Sequence, residues 1–248
     1  SMNKVALVTG SARGIGRQIA ITLAKAGYDI IINYNTSKDK AYLLKDEIEN
    51  FGVKGIVIKC DISNELEVKE MVTTILKEFK KVDVLVNNAA VCFDSLFQDK
   101  SAENFMRTME VNVLGTFLVS KYIGQIMYDN KYGKIINLTS TNGINTYFPM
   151  CIDYDASKSA IISLTHNLAM QFAPYVNVNA IAPGFISTES EVSGMDKEFI
   201  EAEVEKIMVK RIGTEEDVAN LVEFLASDKA NFINNEIIRI DGGIYGNV

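Results

Sequence analysis

Apolar residues along this chain fall into two rhythms. Short runs rich in Val, Ile and Leu, at residues 4–8, 30–33, 55–59 and 82–87, alternate with longer stretches of helical period at 14–26, 41–51 and 66–79. The second half continues with a long helix over about 102–128, a strand over 134–138, a helix over 154–172 and strands over 177–181 and 236–240. Strands separated by helix-length connections predict βαβ units and a parallel sheet, because parallel neighbours need a crossover long enough to return along the sheet. Right-handed crossovers then place helices on both faces, so the expected fold is α/β, a doubly wound parallel sheet in three α/β/α layers. Ligands of such folds collect at the carboxyl ends of the strands.

Composition narrows this picture. With 248 residues, 48% of them apolar, the chain can bury one sizeable core, and a single domain over 1–248 is expected. Three prolines and no low-complexity tract leave no linker. One segment differs: from Pro183 to about Met208 a loop rich in Gly, Ser and Thr leads into a charged helix with apolar Phe199, Ile200, Val204, Ile207 and Met208. A substrate lid over about 185–212 is expected there, the alternative being an ordinary surface helix packed through that stripe.

Charge and cysteines set the partners and the compartment. Lys plus Arg number 25 against 32 Asp plus Glu, and a net charge of −7 argues against the basic footprint of a nucleic-acid binder. The apolar runs are broken by polar residues too soon to cross a bilayer, so no membrane segment is expected. Cys60, Cys92 and Cys151 show neither metal-ligand spacing nor the even count of a disulfide framework. No secretory signal opens the chain, Ser1 before Met2 reads as a residue left by tag removal, and a reducing cytoplasm is expected.

After the first strand come Thr9, Gly10, Ser11, Ala12, Arg13, Gly14, Ile15 and Gly16, opening a helix. Glycines allow a tight turn and close backbone approach, while the helix N-terminus offers free N–H groups to a pyrophosphate. In dinucleotide-binding folds an acid at the end of the second strand bonds the ribose 2′-hydroxyl, whereas a 2′-phosphate needs that acid absent and a cation nearby. Here the strand ends Asn33, Tyr34, Asn35, Thr36, Ser37, and Arg13 lies in the glycine loop. NADP(H) is therefore the expected cofactor, with NAD(H) usable if Arg13 only points to solvent. Asp61, followed by Ile62 after the third strand, either accepts from the adenine amino group or caps the following turn.

Tyr154 and Lys158 are four residues apart near a helix start, so both project from one face. A nearby ammonium stabilises a phenolate and draws the phenol towards the working range of pH. Ser140 follows the strand at 134–138, where its hydroxyl suits a substrate oxygen. Asn112 is a polar residue amid apolar helical neighbours, and a buried amide of this kind needs partners.

These motifs, with Asn87–Asn88–Ala89–Ala90 after the fourth strand, Pro183–Gly184 with Thr188, and Asp241–Gly242–Gly243 near the end, resemble those of the short-chain dehydrogenase/reductase family over nearly the whole chain. That resemblance implies a Rossmann fold and hydride transfer between nicotinamide and a carbonyl or secondary alcohol. It implies Tyr154 as general acid and base, Ser140 polarising the carbonyl, Lys158 holding ribose and tuning Tyr154, and Asn112 holding a water of the proton relay. It further places Asn88, Ala89 and Ala90 beside the cofactor, and Pro183, Gly184, Ile186 and Thr188 on the nicotinamide side. Two departures stand out: Ala90 where glycine is usual, and Asp153 before the tyrosine, which bears on the pH profile. No metal is expected, and the sole histidine, His166, reads as a packing or interface residue. Cys92 and Cys151 either line the substrate pocket or pack as small hydrophobes, and Tyr147, Phe148, Met150 and Ile152 either shape a pocket wall or pack under the lid.

The stretches 211–219 and 224–228 most resemble family members that reduce 3-oxoacyl thioesters on an acyl carrier protein. A carrier would favour a basic patch, to which Lys131 and Lys134 are candidates. Sugar, polyol or steroid dehydrogenation, or an idle NADP-binding sensor, are the alternatives. By the same resemblance a homotetramer is expected.

Overall fold

The computed structural model describes residues 3–188 and 194–245. Seven parallel strands form the main sheet: β1 (Val5–Val8), β2 (Asp29–Tyr34), β3 (Gly55–Lys59), β4 (Val84–Asn87), β5 (Gly133–Leu138), β6 (Val176–Pro183) and β9 (Ile237–Ile240). Their spatial order is β3-β2-β1-β4-β5-β6-β9. The order reverses between β1 and β4, which opens the crevice where ligands of doubly wound sheets sit.

Alternation along each strand explains the three layers. Ala6, Val8, Ile30 and Ile32 pack with Ile19 and Leu23 of α1 (Gly14–Lys25), Leu44 of α2 (Lys38–Glu49) and Val218 and Val222 of the late helix α8 (Glu215–Ala226). Val5, Leu7, Ile31 and Leu85 face the other way, onto Val68 and Met71 of α3 (Glu65–Phe79), Val119 and Ile123 of α5 (Thr116–Asp129) and Leu168 of α6 (Ile152–Gln171). Burying both faces this way accounts for the near-continuous apolar strands of the sequence. No helix among the described residues is long and apolar enough to cross a membrane.

The expected long helix over 102–128 is α4 (Ala102–Met109) running into α5 through a π-helical turn, Glu110–Gly115. A wide turn of this kind marks places where a side chain makes demands on the helix, and Asn112 sits within it. A second, two-stranded sheet pairs β7 (Ile186–Ser187) with β8 (Gly213–Thr214) on either side of α7 (Lys197–Lys206).

The edge at β6 and β9 is closed by asparagines. Asn177 Nδ2 donates to the carbonyls of Asn231 (3.1 Å) and Ile233 (3.0 Å), and Asn179 Nδ2 donates to Ile233 (2.9 Å). In return, the N–H of Glu236 donates to Asn179 Oδ1 at 3.0 Å and that of Val178 to Asn234 Oδ1 at 2.8 Å. Lys134, 2% exposed, joins them by donating to Asn177 (2.9 Å) and Asn231 (2.6 Å).

Candidate functional site

The glycine loop lies between β1 and α1 and is held from three sides. Gly10 has φ +62°, and a Cβ there would stand 2.9 Å from Ala89 Cα; Gly14 has φ +58°. Thr9, fully buried, accepts the N–H groups of Asn88 and Ala89 at 3.0 Å each. Asn88 Nδ2 returns bonds to the carbonyls of Thr9 (3.0 Å) and Gly10 (3.2 Å). From the other side Asn33 Oδ1 accepts Gly10 N–H at 3.1 Å while its Nδ2 donates to Cys60 O at 3.1 Å. Strand ends leave backbone groups that need partners, and Asn33 and Asn88 spend their amides on them. These two side chains therefore shape the loop.

What the loop leaves open fits a dinucleotide. Arg13 precedes α1 without a side-chain cap, and no acidic residue occupies the first turn of Gly14, Ile15 and Gly16, so the helix N-terminus presents its N–H groups to an anion. Ser11 Oγ is buried and has no partner among the described residues. At the end of β2, Asn35 and Thr36 are exposed and Ser37 half-buried, while Tyr34 is buried beneath them. Arg13 is exposed beside α1, whereas Arg17, further along the helix, is paired with Glu47.

Asp61 caps the following turn, one of its two expected roles. Its carboxylate accepts from Ser63 N (3.0 Å) and Oγ (2.6 Å) and pairs with Arg107 at 2.7 Å. Against the burial that would raise it, the bonds from Ser63 and Arg107 hold this carboxyl below the usual range. Ile62 is buried in the core, where a Cβ on Gly115 would approach its Cδ1 to 2.6 Å.

The candidate reacting groups cluster where β5 ends and α6 begins. Lys158 is buried, donates to Leu138 O at 2.8 Å and places Nζ 5.3 Å from the centre of the Tyr154 ring. Burial pushes its ammonium down to about 8, a drop that the neighbouring Cys92 opposes. Tyr154 is half-buried on the same helical face. Ser140 accepts from Asn142 N–H at 3.1 Å, which leaves its own hydrogen to donate.

Two carboxylates flanking Tyr154 fix the first turn of α6. Asp153, with no exposed surface, accepts from Thr108 Oγ1 at 2.6 Å and pairs with Lys100 at 2.9 Å. Burial would raise it, but these two partners hold it low. Asp155 takes Asn142 Nδ2 at 2.8 Å and Phe148 N–H at 3.0 Å, and burial raises it. The unusual Asp153 is thus neutralised inside the protein. Sequence reasoning missed Lys100, Arg107 and Asp155; the available signal was that acids beside a helix start must find donors once buried.

Asn112 is buried and binds both backbone groups of Val91, accepting its N–H at 2.8 Å and donating to its carbonyl at 3.0 Å, with a further bond to Ser157 Oγ at 3.0 Å. Its side chain is thereby committed to protein. Its main-chain carbonyl accepts from Thr116 Oγ1 at 2.8 Å.

Gly184, after Pro183, bonds Ile240 O through its N–H at 3.0 Å, and Ile186 and Thr188 are buried just beyond. Residues 189–193 of the expected lid lie outside the described residues. Helix α7 buries none of its side chains; Phe199 is exposed, Ile200 and Val204 are half-buried, and a cleft of about 450 Å³ runs along them. Of the expected apolar stripe only Ile207 is fully packed, bridging to Ile244. The expected basic patch is not beside the site. Lys134 is buried at the amino end of β5, and exposed Lys131 lies in the turn before it, at the far edge of the sheet. His166 accepts or donates one bond with Asn235 at 2.6 Å, as a surface packing residue would.

Comparison with known proteins agrees with this geometry. Residues 10–245 match a family model described as enoyl-(acyl carrier protein) reductase. The chain is 40% identical over 245 residues to the 3-oxoacyl-acyl-carrier-protein reductase FabG of Staphylococcus epidermidis, covering 98% of this chain and 100% of that one. It is 37% identical over 244 residues to the FabG of Aquifex aeolicus, covering 98% and 97%. Among solved structures, a putative short-chain alcohol dehydrogenase from Sinorhizobium meliloti superposes with a TM-score of 0.93 at 30% identity, covering 100% and 99%. A gluconate 5-dehydrogenase from Burkholderia cenocepacia, in complex with NADP and tartrate, superposes at 0.92 and 28%, covering 100% and 97%.

Proposed function

Because the chain belongs to the short-chain dehydrogenase/reductase family, we propose that it reduces the 3-oxo group of acyl thioesters with NADPH, using Tyr154 as proton donor. Family membership makes it a nicotinamide-dependent oxidoreductase. The observation that carries the reading of the site is a buried ammonium, Lys158, 5.3 Å from the Tyr154 ring at the carboxyl edge of the sheet.

When bound, the nicotinamide supplies a hydride from its C4 to the carbonyl carbon. Tyr154 passes its proton to the carbonyl oxygen, and Ser140 donates to the same oxygen with the hydrogen that Asn142 leaves unused. Lys158 stabilises the phenolate left on Tyr154 and lies within reach of a ribose hydroxyl. Gly10, Ser11 and the open N-terminus of α1 hold the pyrophosphate; Ala89 and Ala90 wall the cofactor on one side, and Pro183, Gly184, Ile186 and Thr188 on the other.

The phosphate form rests on the end of β2. Arg13, Asn35, Thr36 and Ser37 have no side-chain partner among the described residues, and no carboxylate stands where an acid would bond a free 2′-hydroxyl. The thioester reading rests on the FabG relatives. A carrier protein as the bearer of that thioester follows from the same source and would dock elsewhere than on Lys131 and Lys134. A homotetramer in the cytoplasm is part of this reading, supported by the exposed apolar Leu114, Phe117 and Met106 on the α4–α5 face; light scattering tests it.

NADPH consumption tests the chemistry, with acetoacetyl thioesters on coenzyme A and on a carrier protein set against a keto sugar acid and an enoyl thioester. Turnover of the 3-oxo thioesters with NADPH preferred over NADH is the expected result. Turnover of the sugar acid alone would move the chain to the activity named for its gluconate-dehydrogenase neighbours.

A further inference from the structure

One cluster of reactive groups at the mouth of the site is left unused by this chemistry. Cys92, on the loop after β4, and Cys151, the residue that precedes α6, hold their Sγ atoms 3.2 Å apart. Both also touch Asp94 Oδ1, at 3.1 and 2.9 Å. Cys92 and Asp94 are exposed, while Cys151 is 7% exposed. The two loops are already joined beside the pair, where Ser95 N–H donates to Met150 O at 3.1 Å.

Two outcomes suit three such donors, a bound ion or a sulfur–sulfur bond. Two thiolates on a tetrahedral zinc, with Zn–S bonds of about 2.3 Å, stand about 3.8 Å apart, wider than this pair. No fourth His, Cys, Asp or Glu among the described residues completes the group. A disulfide needs the sulfurs to close by only about 1 Å, to roughly 2.05 Å, between loops that already share a backbone hydrogen bond.

We propose that Cys92 and Cys151 form a reversible dithiol–disulfide site that shuts the carbonyl-reducing centre when oxidised, the oxidant being a small-molecule disulfide. Exposed Cys92 attacks as its thiolate, bonding one sulfur of the oxidant and releasing the other as a thiolate. Cys151 then gives its proton to Asp94, and its sulfur displaces the second small thiolate from Cys92. Two protein thiols are oxidised and one small disulfide becomes two thiols, the protons passing to those thiols and to solvent. Contact with Cys92, burial and the Asp94 carboxylate all push the Cys151 thiol up, so it stays protonated until Cys92 has reacted. The third cysteine does not compete, because Cys60 is buried and burial pushes its thiol up to about 12.

The bond would act on the site from both sides. Cys92 adjoins Val91, whose backbone is clamped by Asn112, and Cys151 stands one helical turn before Tyr154. Displacing positioned groups by about an ångström lowers turnover by up to roughly a hundredfold.

The test treats the reduced full chain with oxidised glutathione, then maps its peptides and measures NADPH-dependent reduction of an acetoacetyl thioester. The expected result is a Cys92–Cys151 linked peptide pair, a free Cys60, and turnover lowered roughly tenfold or more and restored by dithiothreitol. C92S and C151S should each turn over at their own rate with or without the oxidant. Glutathione held on Cys92 without transfer, linked protein with unchanged turnover, or equal sensitivity in the two variants would each overturn the proposal. The effect on turnover rests on the function proposed above, but the link does not. A chain that links yet reduces no carbonyl tells against that function and leaves the thiol site standing, whereas a chain that turns over and never links tells against this one.

Discussion

Asn112 and Val91 are joined by a pair of reciprocal bonds, the Asn112 amide accepting at 2.8 Å and donating at 3.0 Å across the gap between the π-helical turn and the loop after β4. This clamp fixes the chain that runs from Ala89 to Cys92 along one wall of the site. Asn112→Ala strands two half-buried backbone groups and a buried hydroxyl partner, and it should destabilise the fold by about 1–3 kcal/mol. Denaturant unfolding reads the loss, and kcat should fall with it. Unchanged stability would show that solvent replaces the amide.

Removing the phenol hydroxyl isolates its chemistry from its packing. Tyr154→Phe keeps the ring beside Lys158 and should lower kcat by roughly 10²- to 10⁴-fold, with NADPH affinity and melting temperature nearly unchanged. A variant as fast as the parent would end the acid–base assignment.

Lys158 makes both activity and stability depend on pH. Its folded value, about 8 against an ordinary 10.5, means that the ammonium is present below about pH 8 and lost above it. The reduction rate should therefore fall as pH rises through 8, because the phenolate loses its neighbouring cation. Between 8 and 10.5 the unfolded chain binds the extra proton, so this group makes the fold more stable as pH rises through that window. At neutral pH the buried charge is a cost, and Lys158→Met should stabilise the fold by roughly 1–3 kcal/mol while removing turnover. Thermal melts and kcat across pH 6–10 check both signs.

The end of β2 should set the choice between phosphorylated and plain cofactor. Arg13→Ala removes the cation and Asn35→Asp adds the missing carboxylate; each should weaken NADPH binding roughly ten- to a hundredfold, the worth of one or two charge-assisted bonds. Asn35→Asp should also improve NADH, read as the ratio of the two Kd values. Equal affinities for both cofactors before and after substitution would detach Arg13 and Asn35 from the ribose.

The glycine loop and the Tyr154–Lys158 pair are legible in the sequence because both are local, a turn and a spacing of four. The strands are legible because burial on two faces leaves continuous apolar runs. Long-range partners are not legible. Nothing near Asp153 announces Lys100, nor near Asp61 announces Arg107, since these partners lie 53 and 46 residues away and meet only in the folded chain. Helix α2 begins at Lys38 rather than 41 because its first turn is charged and exposed, so apolar period alone does not mark it. Lys134 is misplaced by sequence reasoning because a lysine at a strand start ordinarily reaches water, whereas here two asparagines, Asn177 and Asn231, take its ammonium.

That edge also bears on how the chain is made. Val178, Asn177, Asn179 and Lys134 all find their polar partners in residues 231–236. During synthesis those groups are produced long before their partners leave the ribosome. The sixth strand then waits with an unpaired border, where it is open to strands of other chains. A truncation just short of Asn231 would remove β9 and the core packing of Ile233, Ile238 and Ile240 along with these polar partners, and it should give a protein that aggregates during expression rather than one that is merely less stable.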